Sequence, residues 1–198
     1  MNYLAHAYLS FEDKDILAGN MISDFVKGRK KFDLPPGIQQ GITLHRAIDE
    51  YTDQHPVNKR AKDVFRPVYR LYSGAFVDIV YDHFLALDQA EFNEARLLSF
   101  SQDTYKLLEM NQKWFPAPFA GMFPHMKQHN WLYHYRDPLG IERSFEGLAR
   151  RSRYLTDSRT AFELLEKHYQ VLETCYQEFF PQLKSFAHRQ FQAGKDLP

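Results

Sequence analysis

Cysteine is almost missing from this 198-residue chain. The single Cys175 excludes an intramolecular disulfide framework and a multi-cysteine zinc site, and it fits a reducing compartment. Excess charge is missing as well. Lys+Arg and Asp+Glu number 25 each, so no overall field points to nucleic acid or a membrane surface, and neither is expected as a partner. No run reaches the ~18 apolar residues of a membrane span. The opening MNYLAHAYLSFEDKD has no basic n-region and no long apolar stretch, so it does not read as a signal peptide. Clean polar/apolar alternation with hairpin turns is absent too. These absences leave a soluble, cytoplasmic, strand-free protein as the expectation, with nothing that specifies an oligomeric state.

Aromatic residues are plentiful, with 17 Phe and 12 Tyr, which favours a packed core over disorder. Helical period runs through almost every segment. It predicts helices over 2–10, 13–25, 36–55, 57–72, 75–87, 90–112, 125–135, 138–153 and 157–192, with 90–112 and 157–192 each one helix or two and Pro181 the place for a break in the last. Between them, Phe115-Pro-Ala-Pro118 and Phe123-Pro124 read as a loop-rich bend. No repeat or linker divides the chain, so residues 1–198 are expected to form one all-α domain, a helical bundle.

The chemistry concentrates where the core should be. In the helix from about Pro36 to His55, His45, Asp49 and Asp53 recur at i, i+4 and i+8. At ~100° per residue they fan over about 80° of the helix. Ile38 and Ile42 lie on the same stripe, so the inward face changes from hydrocarbon to imidazole and carboxylate. That is costly unless something cationic is bound there. The helix GAFVDIVYDHFLAL at 74–87 is apolar nearly all round, apart from Tyr81, Asp78, Asp82 and His83, and buried carboxylates need a partner. Asn2/His6 and Asn20/Asp24 repeat the i, i+4 polar pairing on two further apolar helices. Bundles build metal sites from inward residues on facing helices. Carboxylate with imidazole suits Mn²⁺, with Mg²⁺ or Fe²⁺ as alternatives. The pattern therefore points to a His/Asp divalent-metal site between central helices.

Structural readings stand beside these. Asp53, near a helix end, reads as support rather than ligand, and Asp78 as the partner of one of the arginines. His125, His129 and His134 lie in loop-rich surroundings without nearby carboxylates and read as surface or packing residues. Trp114 and Trp131 read as core. The basic stretches Lys27–Lys31 and Lys59–Arg70 follow directly after Asp24 and after the Asp49/Asp53 helix. Either they are solvated faces, or they rim the same opening and serve a phosphorylated or acidic substrate. Arg46, beside His45, has the bidentate geometry to clamp a phosphate.

The segments MNYLAH, GNMISDFVKG, GITLHRAIDEYTD and DIVYDHFL, in this order and spacing, resemble the acyl carrier protein phosphodiesterase family. The likeness continues more loosely through WLYHYRD at 131–137 and the aromatic C-terminal helix. The resemblance implies an all-helical, HD-like fold and hydrolysis of 4′-phosphopantetheine from holo acyl carrier protein with a divalent metal, typically Mn²⁺. It carries over His6, Asp24, His45, Asp49, Asp82 and His83 as the active-site set, with Asp-His at 82–83 in the reverse of the usual order. In the implied mechanism His6, Asp24, His45, Asp49 and Asp82 hold the ion, which lowers the pKa of a water that attacks phosphorus in line. His83 protonates the departing serine oxygen, and Arg46 or the basic rim steadies the phosphoryl charge. Lys27, Arg29, Lys30, Lys59, Arg60 and Arg66 would steer the small acidic carrier protein. Two other readings use the same residues. One is an HD-type phosphohydrolase acting on a nucleotide or other small phosphodiester. The other is a non-enzymatic helical adaptor whose buried carboxylates are merely ion-paired.

Overall fold

Gly19 and Gly41 set a helix crossing at which backbone meets backbone. In the computed structural model, a Cβ on Gly19 would stand 2.0 Å from the Ile38 carbonyl oxygen, and one on Gly41 2.2 Å from that of Ile16. Only bare backbone lets α2 (Lys14–Ile22) and α3 (Pro36–Gln54) approach so nearly. The structure describes residues 1–152, 155 and 157–195. Around the crossing lie α1 (Tyr3–Tyr8), α4 (Pro56–Tyr69) and α5 (Ser73–Leu87). Then follow α6 (Glu94–Glu109), α7 (Ala117–Gln128), α8 (Trp131–His134), α9 (Pro138–Arg151), α10 (Arg159–Lys167) and α11 (Tyr169–Lys195). Among the described residues there is no strand, so the all-α expectation holds. No described helix is long and apolar enough to cross a membrane.

One continuous set of buried side chains joins these helices, from Leu4 on α1 through Phe76 and Val80 on α5 to Phe179 on α11. α5 is its centre: Phe76, Val77, Ile79, Val80, Tyr81, Phe84 and Leu85 are all buried. Tyr81 meets the requirement for a buried hydroxyl by donating to Asn58 Oδ1 at 2.9 Å, while Asn58 donates to the Thr52 carbonyl. α2 begins at Asp13, whose carboxylate accepts from the amides of Asp15 and Ile16.

Two expectations fail at prolines. Phe115 and Pro116 are extended as expected, but the rest of the expected bend, 117–124, is the start of α7, which runs through Pro124. Pro118 lies in the first turn, where no amide is needed. Phe119, Phe123 and Met126, at i, i+4 and i+7, are buried, and their packing outweighs the ~3 kcal/mol that an interior proline costs. Likewise α11 passes through Pro181, an exposed position, and the break falls at His168. The buried stripe from Leu172 to Phe191 holds that helix together. α9 ends at Arg151; Arg153, expected as its last residue, lies outside the described residues.

Candidate metal centre

α1 and α3 bring two imidazoles face to face. His6 and His45 stack with ring centroids 4.0 Å apart and 16° between planes. Both turn Nε2 toward the same carboxylate: His6 Nε2 lies 3.2 Å from Asp49 Oδ1, and His45 Nε2 lies 3.1 Å from Asp49 Oδ2. Among the described residues, His6, His45 and Asp49 form a group of His/Asp ligands whose donor atoms lie within 4.8 Å of one another. Asp24, in the 3₁₀ turn that follows α2, adds an oxygen 3.2 Å from His45 Nε2. Its side chain is 74% exposed. The centre is thus closed on the histidine side and open at Asp24.

The opposite ring nitrogens are held by one residue. His6 Nδ1 lies 2.8 Å from the side-chain oxygen of Asn20, and His45 Nδ1 lies 2.8 Å from the main-chain oxygen of Asn20. The Asn20 amide is oriented by its own contacts, since Nδ2 donates to the His6 carbonyl and to Ser10 Oγ. Both Nδ1 atoms therefore face pure acceptors and must carry hydrogen. For a neutral ring this leaves a lone pair on Nε2, the tautomer that a metal ligand requires.

Burial disfavours an imidazolium at His45, but its hydrogen bonds to Asp24 and Asp49 and the fields of those carboxylates outweigh it and hold its pKa at about 9. Burial and the neighbouring His45 charge push His6 down to about 4. Against the effect of burial, the two imidazoles and the Met1 ammonium keep Asp49 far below the usual carboxylate range. Hydrogen bonding to His45 lowers Asp24 as well. That ammonium is fully buried, 3.4 Å from Asp49 Oδ1 and 3.1 Å from Asp78 Oδ1. Asp78, expected to pair with an arginine, pairs with the ammonium instead.

A family model described as acyl carrier protein phosphodiesterase matches residues 1–183. The chain belongs to that family. A relative named acyl carrier protein phosphodiesterase from Yersinia pestis is 33% identical over 193 residues, which is 96% of this chain and 100% of the relative. One of the same name from Enterobacter sp. (strain 638) is 33% identical over 184 residues, 92% of this chain and 95% of its own. One from Escherichia coli (strain K12 / DH10B) is 30% identical over 193 residues, 96% and 98%. No solved structure matches the chain.

In this phosphodiesterase-family chain the residues present fit a divalent cation. His6 Nε2 is buried and without a hydrogen-bond partner, and it faces an anionic oxygen. The His6 lone pair and the Asp49 carboxylate, aimed at one point, repel unless positive charge lies between them, and a divalent cation that displaces the His45 proton supplies it. Two imidazoles with one or two carboxylates form a donor set suited to Mn²⁺ or Fe²⁺.

Asp82 and His83 are not brought into this group. Asp82 is completely buried, and its oxygens accept from the amides of Leu4 at 2.6 Å and Ala5 at 3.2 Å. It caps the first turn of α1 from across the core, which satisfies two of that helix's free N–H groups. His83 points elsewhere. Its Nδ1 meets the Tyr135 carbonyl at 2.8 Å and its Nε2 the Tyr169 hydroxyl at 3.1 Å, so it ties α5 to the α8–α9 turn and to α11. The expectation of a ligand at Asp82 and a proton donor at His83 is corrected on those contacts. The apolar surround of that helix places both inside the core, but it does not distinguish protein partners from an ion.

The remaining candidates divide. Exposed Arg46 donates to the Val26 carbonyl at 3.2 Å, steadying the chain just after Asp24. Lys27, Arg29 and Lys30 are exposed in and beside the 3₁₀ turn Gly28–Asp33. On α4, Arg60 pairs with Glu178 at 2.8 Å and Arg66 with Asp63 at 2.5 Å, while Lys59 is exposed. Asp53 pairs with Lys62 at 2.7 Å, the supporting role expected of it. His134 pairs with Asp137, consistent with a surface histidine. Asn20, paired with Asp24 in the sequence pattern, has a role that the pattern does not assign: it orients both histidines. Its signal was an amide in the run Leu17–Ile22, where every neighbour is buried.

Proposed function

We propose that this chain hydrolyses the phosphodiester linking 4′-phosphopantetheine to the serine of holo acyl carrier protein, with a divalent metal, Mn²⁺ first, held by His6, His45, Asp49 and Asp24. The observation that carries this reading is the pair of Nε2 atoms aimed at Asp49 while both Nδ1 atoms are fixed by Asn20. The names of the relatives supply the substrate. The HD-type kinship and the cytoplasmic setting expected from the sequence are parts of the same proposal.

When bound, the ion supplies an acidified water and a Lewis acid for the phosphoryl oxygens. The rest belongs to the chain. Asn20 holds both imidazoles in register, so that no reorganisation is needed when substrate arrives. The Met1 ammonium and Asp78 hold the flank of Asp49 that faces away from the opening. Asp24, exposed on the other side, stands where a bulky protein substrate can approach. Lys27, Arg29 and Lys30 follow it in sequence and face solvent, suiting them to steer an acidic partner.

Incubation with holo acyl carrier protein and Mn²⁺, followed by mass spectrometry of the carrier, tests the proposal. The expected result is conversion to the apo form, abolished in His45→Ala and Asp49→Asn proteins that also lose bound metal. Absence of conversion by folded, metal-loaded protein would overturn it. Folded protein that holds no metal in elemental analysis would favour the adaptor reading.

A further inference from the structure

α9 is amphipathic, and only one of its faces belongs to the core. Ile141 and Phe145 are buried. The other face carries Arg143, Gly147, Arg150 and Arg151, at i, i+4, i+7 and i+8, and lines a cavity of about 460 Å³. Across it stand Tyr3 from α1, Trp131 from the start of α8 and Tyr135. Tyr135 is buried, and its hydroxyl accepts from Asn2 Nδ2 at 2.9 Å. Among the described residues lining the cavity, Glu146 is the one carboxylate against three arginines. None of the three arginines makes an ion pair with a described carboxylate. The side chain of Arg151 folds back along the helix, so that a Cβ on Gly147 would lie 3.4 Å from its Nη1. The cavity is thus aromatic on one wall and carries on the other positive charge that no described carboxylate pairs with.

It also lies beside the metal centre. Asn2 and Tyr3 precede His6 by four and three residues, so they share its face of α1. Tyr3 lies within the fields of both Arg151 on the cavity side and Asp24 on the metal side; burial, the larger effect, raises its phenol to about 12. From Arg143 to Arg151 the arginine wall extends ~12 Å at 1.5 Å per residue.

We propose that this cavity is the subsite for the phosphopantetheine arm of the substrate, with Arg151 nearest the phosphate and Arg143 toward the far end of the arm. The inference rests on the reading of the chain as a phosphopantetheine-releasing hydrolase. Its chemistry is matched part by part. An arm of this kind is an extended chain with two amides, one hydroxyl and a phosphate at one end, monoanionic as the diester of the carrier and dianionic once released. Guanidinium groups donate to carbonyls and clamp phosphate. Trp131, Tyr3 and Tyr135 offer flat apolar surface to the methylene segments. A volume of about 460 Å³ lies within the range of small-molecule sites. Once the scissile phosphate is at the metal, the carrier must lie on the open Asp24 side, and the arm needs a separate channel leading away. This cavity provides one.

Binding of the free arm, without carrier and without metal, tests the subsite by itself. In a Trp114→Phe background Trp131 is the one remaining tryptophan, and its fluorescence reports on the cavity. Chelator-treated protein titrated with 4′-phosphopantetheine should show a saturable change, with unphosphorylated pantetheine binding more weakly. Arg143→Ala/Arg151→Ala should weaken phosphopantetheine binding at least tenfold. Gly147→Leu, which fills the cavity without removing charge, should weaken both ligands while circular dichroism stays unchanged. No saturable signal up to about 5 mM, where even a 1 mM site is mostly filled, would overturn the proposal. Unchanged affinity in the arginine variants would also overturn it. So would variants that lose turnover of carrier protein yet bind the free arm normally, since the arginines would then dock the carrier. If the arm binds as described but no apo carrier is ever formed, the hydrolytic reading fails and the subsite stands.

Discussion

His6 and His45 stack at 4.0 Å with both Nε2 atoms on Asp49, and Asn20 supplies the acceptor for the far nitrogen of each. One residue thus sets two tautomers. Asn20→Ala is expected to leave the His6 Nδ1 hydrogen without a buried acceptor, at about 1–3 kcal/mol in stability. The outer-shell loss should lower metal affinity about 10–100-fold. Competition against a coloured chelator measures the second effect separately from urea unfolding, which measures the first. Retention of full metal affinity in Asn20→Ala would dissociate the tautomer from the site.

Asp82 gives an opposite expectation. As the cap of α1 it matters for stability, and Asp82→Ala should cost about 2 kcal/mol by removing the acceptor of two buried amides. Its metal content, measured at saturating Mn²⁺ on the folded protein, should stay near that of the parent. His83→Gln should likewise keep kcat within about tenfold, where loss of a true general acid costs about 100–10,000-fold.

The pH dependence of stability tests the same carboxyl. Burial pushes Asp82 up to about 7, against the Leu4 and Ala5 amides and the Met1 ammonium, which oppose the rise. The native state therefore keeps a proton that the unfolded chain releases near its ordinary value of 3.8. Its contribution to stability is full below pH ~4 and is lost as the pH rises toward 7. Relative to Asp82→Asn, which does not titrate, the parent should lose up to about 4 kcal/mol between pH 4 and pH 8. A flat difference across that range would mean that the amides and ammonium hold Asp82 ionised throughout.

Gly19→Ala or Gly41→Ala should be worse than either loss of a cap. The new methyl would meet main-chain oxygen at 2.0 or 2.2 Å, and backbone cannot swing aside as a side chain can. Overpacking costs about 1–3 kcal/mol even where side chains can adjust, and more where they cannot. Because the crossing carries Asn20 and His45, metal affinity should fall together with the unfolding midpoint.

Much of this was legible in the sequence, and the boundary is a physical one. Helical period with no strand alternation gives an all-α fold, and residues 36–54 and 73–87 form helices nearly as the pattern predicts. His6, Asp24, His45 and Asp49 were readable because polar groups at i, i+4 on apolar stripes require a partner. The partner's identity was not readable. For His6, His45 and Asp49 it is each other, for Asp24 it is His45, and for Asp82 it is the end of α1. The proline errors have the same origin, since local propensity at Pro124 and Pro181 yields to the tertiary packing of Phe123 and Phe180. Gly19 and Gly41 carried the strongest hint that was left unused. Glycine within an apolar helix costs about 1 kcal/mol relative to alanine, which close backbone approach explains.

The basic residues expected to greet the carrier protein separate in space and in their pairing. Lys27, Arg29 and Lys30 follow Asp24 and are exposed, with no described carboxylate paired to them, whereas Arg60 and Arg66 on α4 already have Glu178 and Asp63. A paired surface arginine projects little net field, and at 0.15 M salt that field fades within about 8 Å. Reversal of Lys27, Arg29 and Lys30 to glutamate should therefore lower kcat/KM for holo acyl carrier protein at least tenfold, mostly through KM. The parent's own kcat/KM should fall with added salt, while that of the reversed variant changes little. The same reversal at Lys59, Arg60 and Arg66 should have a smaller, few-fold effect, since it removes two ion pairs along with the charge. Turnover measured from 50 to 300 mM NaCl on both triple variants decides the matter. A larger loss from the α4 variant would place the docking face on α4 and not beside Asp24.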